Sequence, residues 1–146
     1  MLFLIRHGKT KANQEGRYLG YTDEDLTEEG KQEILSLAAS GYYPESDIIF
    51  TSALKRCKTT AALIYPGKQL IEIPEWNEID FGRFEGKTYK ELSGNPDYQA
   101  WIDSGGTIAF PDGESREQFI ERCVSGMEKM IAMLPEGAER ISIVVH

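Results

Sequence analysis

An arginine, a histidine and a glycine stand together where the first apolar run of this sequence ends. Arg6 and His7 follow the apolar residues 2–5, and Gly8 comes next. A planar guanidinium beside an imidazole suits an oxyanion, and phosphate is the ligand this pairing favours. Gly8 would let the backbone turn and lie close to the bound group. An isolated Arg-His-Gly also fits a bland alternative, in which His7 is merely the first polar residue after a strand.

The second histidine favours a site. The sequence has two histidines, and His146 follows the last apolar run, residues 141–145. Such runs have the length of a strand and are too short for a helix, and we expect residues 2–5 to form a fully buried strand. Open α/β sheets bind their ligands at the carboxyl ends of strands. Two strands that each end in a histidine would bring His7 and His146 to one edge of a sheet.

Arg56 is a third candidate. It lies about one turn into the helix predicted for residues 53–64. A lone arginine near the positive end of a helix is electrostatically unfavourable, so we expect an anion to offset its charge. The sequence leaves open whether that anion is an acidic side chain or a bound ligand.

Residues 75–86 could supply an acid, because this stretch is dense in aromatic rings and carboxylates. Burial against rings raises the pKa of a carboxyl group, which can then hold a proton near neutral pH as a general acid must. On composition alone, an ordinary surface loop with solvated carboxylates is at least as good an interpretation.

Strands and helices alternate along the chain. Apolar runs predict strands at residues 2–5, 48–51, 69–73 and 141–145. Apolar periodicity predicts helices at residues 28–40, 53–64, 97–104 and 115–134, with a further short helix from Thr88 and a polar loop over residues 14–27. Because such alternation produces parallel sheets, we predict one α/β domain with a largely parallel sheet and helices on both faces.

Local signals fix the expected helix starts and buried faces. Thr27 and Ser52 are expected N-caps, while Thr88 and Ser115 open capping boxes. The buried face of the helix at residues 28–40 is expected to contain Ile34, Leu35, Ala38 and Ala39. That of the last helix is expected to contain Phe119, Ile120, Cys123, Val124, Met127, Ile131 and Leu134.

Composition narrows the class of protein. The 146 residues suffice for one domain with its own core, and the net charge of −8 argues against a nucleic-acid or anionic-membrane partner. No apolar run could span a bilayer, and the first residues do not read as a signal peptide, so we expect a cytoplasmic protein. Cys57 and Cys123 lack metal or redox spacing and are expected to be plain buried or half-buried thiols.

Four blocks of the sequence resemble those of the histidine phosphatase superfamily, the family of the phosphoglycerate mutases. They are residues 6–13, 52–61, 78–86 and 144–146, and they occur in the family's order. The resemblance runs through the whole chain. It implies a three-layer sandwich, with helices on both faces of a mostly parallel sheet, and chemistry that needs neither a metal nor a cofactor.

The resemblance also implies a role for each site residue. His7 would be the nucleophile that forms a phosphohistidine, and Glu78 would protonate the leaving oxygen and then activate water. The phosphoryl oxygens would be held by Arg6, Arg56 and His146, with help from Asn13 and from backbone amides at Leu19 and Gly20. Phosphoryl transfer requires alignment and positive charge on three equatorial oxygens. We therefore expect a neutral His7 and a charged His146.

Two departures from the family pattern stand out. Lys9 occupies a position where many members carry glutamate, which should make the mouth of the pocket more positive. Family members also continue beyond the second histidine through a further helix and usually a strand, whereas this sequence stops at His146. We therefore expect residues 1–146 to be a single histidine phosphatase domain that lacks the C-terminal elements, with the sheet face behind the last strand uncovered and His146 mobile.

Within the family, the phosphatase branch fits best. Mutases usually carry a water-excluding insertion after the acid block, whereas Glu78 is followed directly by the compact residues 79–86. Residues 111–115 also resemble a loop of the phosphatase branch. We therefore expect hydrolysis of a small phosphate monoester, with α-ribazole 5'-phosphate as one candidate substrate. A phosphoglycerate mutase is the alternative enzyme.

Two other classes of protein stay open at this point. A metal-dependent hydrolase could use His7, His146 and nearby carboxylates as ligands, although two arginines beside the histidines argue against a cation. A non-catalytic phosphate-binding module would bind the anion without reacting. The sequence is compatible with either a monomer or a homodimer.

Overall fold

A four-stranded parallel sheet forms the centre of the structure, a computed structural model that describes residues 1–146. Its strands are β1 (Leu2–Arg6), β2 (Ile48–Thr51), β3 (Leu70–Glu72) and β4 (Ile141–Val145). Their order is β1-β4-β2-β3, and every neighbouring pair is parallel. The predicted strands are confirmed, and the last strand in sequence lies between the first and the second.

Helices cover both faces of this sheet, as predicted. They are α1 (Lys11–Glu15), α2 (Glu28–Ala39), α3 (Lys55–Ile64), α4 (Pro96–Asp103) and α5 (Arg116–Met133), with 3₁₀ turns at Pro74–Trp76 and Gly82–Phe84. One core cluster joins β1, β2 and β4 to α2 and α3, and another joins the opposite face to α5. A third, largely aromatic cluster is formed within the segment between β3 and α5 and is centred on Phe84, Leu92 and Phe110. No helix of the structure has the length and apolarity that crossing a membrane requires.

Two of the expected helix starts are confirmed. The Thr27 hydroxyl accepts from the amide of Gly30, and Ser115 forms a reciprocal capping box with Gln118. Thr88 exchanges the same kind of bonds with Glu91, but these residues enclose only a turn, so the short helix predicted there is wrong.

Ser52 does not cap α3, because partners distant in sequence occupy the amides at the start of that helix. The Ala53 amide donates to Oδ1 of Asn77 at 2.9 Å, and the Lys55 amide donates to Oδ1 of Asp23 at 2.6 Å. Side chains of two other loops therefore do the work expected of Ser52.

The predicted loop at residues 14–27 begins slightly later than expected. Residues 11–15 form the one-turn helix α1, whose capping box joins Thr10 to Asn13. The rest of the segment is irregular, as predicted.

Strand β1 is not fully buried, contrary to expectation. It lies at the edge of the sheet, and Leu4 is 70% exposed. The sheet face beside it is open, as expected for the face behind the last strand, and a groove of about 330 Å³ runs between Leu4, Phe119 and Met127.

Two helix faces are also narrower than predicted. On α2, Ile34 is buried while Leu35 and Ala39 are exposed, because the helix turns Gly30 and Ile34 inward. On α5, three residues of the expected stripe lie on the open side and are exposed, namely Ile120, Val124 and Ile131.

Candidate active site

The parallel sheet brings the predicted site residues to one edge. The amide of His7 donates to the carbonyl of Val145 at 2.9 Å, so the residue after β1 lies beside the end of β4. The ring centroids of His7 and His146 are 5.2 Å apart, and the rings meet edge to face. Because all four strands run in one direction, the segments that follow β2 and β3 reach this edge as well.

His7 is held as a neutral imidazole with a free nitrogen. Its Nδ1 lies 2.7 Å from the carbonyl oxygen of Gly8, which can only accept, so Nδ1 carries the proton and Nε2 keeps its lone pair. The pKa of His7 is lowered to about 4, chiefly by burial and also by the charges of Arg56 and Arg6, against the opposing hydrogen bond to the Gly8 carbonyl. An Nε2 lone pair available at neutral pH is what a nucleophile requires.

Gly8 is packed closely against side chains of α2 and α3. Its amide donates to the hydroxyl of Thr60 at 3.0 Å, and a Cβ atom added to it would lie 2.5 Å from Cδ1 of Ile34. The glycine thus lets the turn after β1 pack against α2 and α3, and its close approach to a bound group stays a prediction.

Arg56 is fully buried and forms no ion pair. Its guanidinium donates to the carbonyls of Thr22 at 3.0 Å, Gly20 at 2.8 Å and Leu19 at 3.5 Å. Carbonyl dipoles orient the guanidinium, while the carboxylates of Glu78, Glu85 and Asp23 act on it only through space, without a direct ion pair. Of the two possibilities left open for this arginine, a directly paired acidic side chain is not found among its contacts.

The loop that holds Arg56 is itself held by Glu85. Both carboxylate oxygens of Glu85 accept from the amide of Gly20 at 2.9 Å, and one also accepts from the amide of Thr22 at 3.1 Å. The Gly20 amide is therefore occupied by Glu85, so its expected contact with the substrate is not the one the structure presents. Leu19 is buried, and the contact expected of its amide stays a prediction. A Cβ atom on Gly20 would lie 2.3 Å from the carbonyl of Ile79, so only glycine fits here.

His146 has the opposite tautomer to His7. Arg56 Nε donates to its Nδ1 at 3.2 Å, so the proton lies on Nε2, which is 3.1 Å from the hydroxyl of Ser52. Burial and, after it, the charge of Arg56 together lower the pKa of His146 to about 3. The expectation of a charged His146 is therefore wrong for this geometry.

Arg6 and Asn13 are both exposed. Arg6 is exposed, makes no side-chain hydrogen bond or ion pair, and acts electrostatically on His7, Glu78 and His146. The Oδ1 atom of Asn13 accepts from the amide of Thr10 at 3.1 Å, which leaves the side-chain NH₂ group to donate elsewhere. Both side chains can therefore donate to an anion.

Glu78 follows β3 and the 3₁₀ turn at Pro74–Trp76. Burial raises the pKa of its carboxyl group, against the opposing charges of Arg56, Arg6 and Arg122. The one hydrogen bond of this carboxylate comes from the amide of Ile79 at 2.9 Å. The raised pKa predicted for a carboxyl of this segment is found here.

Lys9 does not make the mouth of the site more positive. Its ammonium lies 3.1 Å from a carboxylate oxygen of Glu33 and 3.6 Å from one of Glu29, both on α2. These two carboxylates raise the pKa of Lys9. Its charge is therefore matched locally, and that expectation is corrected.

The two cysteines are free thiols, as predicted. Cys57 is buried with Sγ 3.6 Å from Nε2 of His146, and burial raises its pKa to about 11. The thiol therefore stays protonated and packs against the imidazole.

Arg122 and Glu114 adjoin the site and were not found from the sequence. Arg122 lies on α5, and its charge acts on Glu78 and His146. It forms a bidentate ion pair with Glu114, in which both N···O distances are 2.7 Å. The sequence feature that could have pointed to Arg122 is its position between Phe119 and Gly126, on the inward side of an amphipathic helix where a charged residue is unusual.

Taken together, the edge carries two unpaired arginines, two neutral imidazoles of opposite tautomer and one carboxyl group with a raised pKa. Positive groups converge here although the whole chain has a net charge of −8. Such a site can bind a phosphoryl group, offer it a nitrogen nucleophile and supply a proton.

Comparison with known proteins places this geometry in context. The family model described as histidine phosphatase superfamily (branch 1) matches residues 2–146. The adenosylcobalamin/alpha-ribazole phosphatase of Escherichia coli (strain K12) is 32% identical over 99% of this chain and 71% of its own length. Phosphoserine phosphatase 1 of Hydrogenobacter thermophilus is 33% identical over 88% of this chain and 63% of its own length.

A mutase and a solved structure are also similar. The 2,3-bisphosphoglycerate-dependent phosphoglycerate mutase of Methylobacterium radiotolerans is 31% identical over 100% of this chain and 73% of its own length. The crystal structure of the alpha-ribazole phosphatase from Shigella flexneri superposes with a TM-score of 0.87, at 30% identity over 99% of this chain and 73% of that one. The chain thus spans between 63% and 73% of these relatives.

Proposed function

This chain belongs to the histidine phosphatase superfamily, and from that premise we propose that it hydrolyses small phosphate monoesters through a phosphohistidine at His7. The unit that acts is the single domain of residues 1–146, with Arg6, Arg56, Asn13 and His146 as the phosphate-binding groups. Glu78 is the proton donor. Neither a metal nor a cofactor enters these steps.

The observation that carries the proposal is the buried, unpaired guanidinium of Arg56. A buried charge is costly unless a partner compensates it. Arg56 has only carbonyl and imidazole partners, and it lies beside two histidines. An anion bound between Arg56 and Arg6 would supply a direct negative partner, and the unengaged guanidinium of Arg6 matches the bidentate geometry of a phosphoryl group.

In the first step, Nε2 of His7 attacks phosphorus and forms a P–N bond. The P–O ester bond breaks, and its electron pair stays on the leaving oxygen, which takes the proton of Glu78. The proton on Nδ1 of His7 stays there and is donated to the Gly8 carbonyl, which stabilises the imidazolium character that develops on the ring. The two arginines hold the equatorial oxygens.

In the second step, water attacks phosphorus while Glu78, now a carboxylate, accepts the water proton. The P–N bond breaks, its electron pair returns to Nε2 of His7, and inorganic phosphate leaves. Glu78 is thereby reprotonated, so one carboxyl group serves both steps.

Within this class, α-ribazole 5'-phosphate is our specific candidate substrate. The similarity to phosphatases named for that compound supports it, at 32% identity to the Escherichia coli enzyme. The identity to a phosphoserine phosphatase is comparable, so phosphoserine and other small phosphate esters are also candidate substrates. Phosphoglycerate mutase is the second candidate function, favoured by the mutase among the relatives.

A direct assay separates these functions. The protein is incubated with α-ribazole 5'-phosphate, phosphoserine and 3-phosphoglycerate in turn, and inorganic phosphate is measured alongside 2-phosphoglycerate. We expect phosphate release, fastest from α-ribazole 5'-phosphate, that chelators leave unchanged. Conversion of 3-phosphoglycerate that depends on a bisphosphate primer would establish the mutase instead. Loss of activity with a chelator would favour a metal-dependent hydrolase, and phosphate binding without turnover a binding module.

A further inference from the structure

One ion pair holds the backbone around Glu78 from two sides. The guanidinium of Arg122 donates to the carbonyls of Glu75 and Asn77, each at 2.7 Å, and to the carbonyl of Glu78 at 3.1 Å. With its two bonds to Glu114, this one group makes five hydrogen bonds. Such a fan of donors is available to arginine and not to lysine.

The partner of Arg122 holds the other end of the same segment. Oε2 of Glu114 accepts from the amide of Asp80 at 3.3 Å, and the backbone amide of Glu114 donates to the Asp80 carbonyl at 3.0 Å. The Arg122–Glu114 pair therefore grips residues 75–80 on both sides of Glu78. Both side chains are largely buried, with 19% and 12% of their surfaces exposed.

The carboxyl group of Glu78 depends on this grip for its position. Its own hydrogen bond is to the adjacent amide of Ile79, within the same loop, and no side chain of another element contacts it by hydrogen bond or ion pair. The location of the acid is therefore set by the location of its backbone. A shift of the loop of about 1 Å is enough to cost a catalytic group most of its effect.

The close docking of α5 makes the contact possible. A Cβ atom on Gly126 would lie 2.5 Å from Nε1 of Trp76, and that nitrogen donates to the carbonyl of Cys123 at 3.1 Å. The glycine lets the helix approach the 3₁₀ turn at Pro74–Trp76, so that Arg122, one turn before it, reaches the carbonyls of the loop.

We propose that Arg122 and Glu114 are positioning residues that hold the Glu78 carboxyl where it can protonate the leaving oxygen. This inference rests on the proposed function, because it assumes that Glu78 is the acid. The charge of Arg122 also acts on Glu78, but the five hydrogen bonds of its guanidinium to Glu114 and to the loop around Glu78 make placement of the acid the role we assign to the pair. Neither touches the phosphoryl group.

Substrates with different leaving groups can distinguish a loss of acid positioning from a general disruption of the active site. Phenolate is a poor leaving group and needs a proton, whereas 2,4-dinitrophenolate leaves without one. Phenyl phosphate and 2,4-dinitrophenyl phosphate therefore form a matched pair of probes. The rate constant kcat/KM reports the steps up to formation of the phosphoenzyme, in which the acid takes part.

For Arg122→Met and Glu114→Gln, we expect kcat/KM for phenyl phosphate to fall about 10²-fold, the scale of a lost general acid. For 2,4-dinitrophenyl phosphate we expect a change of less than about threefold, since proton transfer contributes little there. The double variant should be no worse than either single variant, because the pair acts as one unit. Arg122→Lys, which keeps the charge but not the fan of donors, should be intermediate.

Arg116→Met is the matched control, since Arg116 is an exposed arginine on the same helix that forms no ion pair. It should leave kcat/KM unchanged for both probes. Equal losses on the two probes in the Arg122 and Glu114 variants would mean a general structural role and would overturn the proposal, as would no loss at all.

Phosphorylation of His7 distinguishes a failure of the positioning proposal from a failure of the proposed function. If the proposed function holds, the wild-type protein forms a phosphoenzyme from 2,4-dinitrophenyl phosphate, and the Arg122→Met and Glu114→Gln variants form it as well. If the wild-type protein forms none, the proposed function fails, and the positioning role falls with it.

Discussion

Arg56 donates from Nε to Nδ1 of His146 at 3.2 Å, so a buried guanidinium and a buried imidazole form a hydrogen bond with no carboxylate between them. The bond requires a lone pair on Nδ1, which makes His146 neutral and leaves its proton on Nε2. Together with the Nδ1 proton of His7, the two rings thus have complementary tautomers, one with a free Nε2 atom and one with an Nε2–H donor. In our account the first attacks phosphorus, and the second exchanges its contact with the Ser52 hydroxyl for one with a phosphoryl oxygen.

Arg56→Met should weaken the binding of inorganic phosphate by at least about 10²-fold, because it removes a preorganised buried donor from the anion site. Isothermal titration calorimetry measures the change. Lys58→Met is the control, since it removes the same charge from the same helix at a side chain that pairs with Glu72. Equal affinities of wild type and Arg56→Met for phosphate would contradict this role.

Glu85→Gln should also weaken phosphate binding, by about tenfold, although it removes a negative charge near an anion site. The reason is that the Glu85 carboxylate holds the amides of Gly20 and Thr22, and charge-assisted bonds of this kind contribute about 1.5–3 kcal/mol. A purely electrostatic effect would strengthen phosphate binding instead. The direction of the change in phosphate affinity therefore distinguishes the two explanations. Glu128→Gln, at an exposed and unpaired glutamate on α5, should change nothing.

The pH profile of kcat/KM for phenyl phosphate should have two limbs. Activity should rise with pH through about 4, as the lowered pKa of His7 is passed and Nε2 becomes free. It should fall again on the alkaline side of an ordinary glutamate pKa, because Glu78 has a raised pKa and must be protonated to act as an acid.

Glu78→Gln tests this assignment. The variant should lose the alkaline limb that Glu78 causes and keep the acidic limb that His7 causes, with a peak rate lower by about 10²-fold or more. An unchanged alkaline limb in the variant would mean that another group, and not Glu78, supplies the proton.

Lys9→Met should leave both phosphate affinity and kcat/KM within about twofold of the wild type. The charge of Lys9 is paired with Glu29 and Glu33 on the exposed surface, where such pairs contribute little. A fall of tenfold or more in either quantity would show that Lys9 reaches the bound anion.

The sequence predicted what local patterns control. The strands β2 and β4 have the predicted bounds, and the helix starts at Thr27 and Ser115 are confirmed, because each depends on residues within a few positions. The meeting of His7 and His146 at one edge followed from two strands ending in histidine, since parallel strands share their carboxyl edge.

Features that depend on distant partners were missed or mistaken. Arg122 and Glu78 are 44 positions apart, and no local sequence pattern around either residue predicts their contact. The occupation of the Gly20 amide by Glu85 and the pairing of Lys9 with α2 are likewise contacts between elements. The exposure of Leu4 follows from the place of β1 at the sheet edge, which its apolar run alone does not encode.

The central claim, a phosphohistidine at His7, is tested most directly by trapping that adduct. The protein is mixed briefly with 2,4-dinitrophenyl phosphate in the presence of a chelator, quenched in alkali, in which phosphohistidine survives, and analysed by peptide mass spectrometry. We predict one phosphoryl group on His7, absent in His7→Ala and more abundant in Glu78→Gln, in which hydrolysis of the adduct is slowed. Phosphate release without any adduct on His7, or an adduct that persists in His7→Ala, would contradict the account.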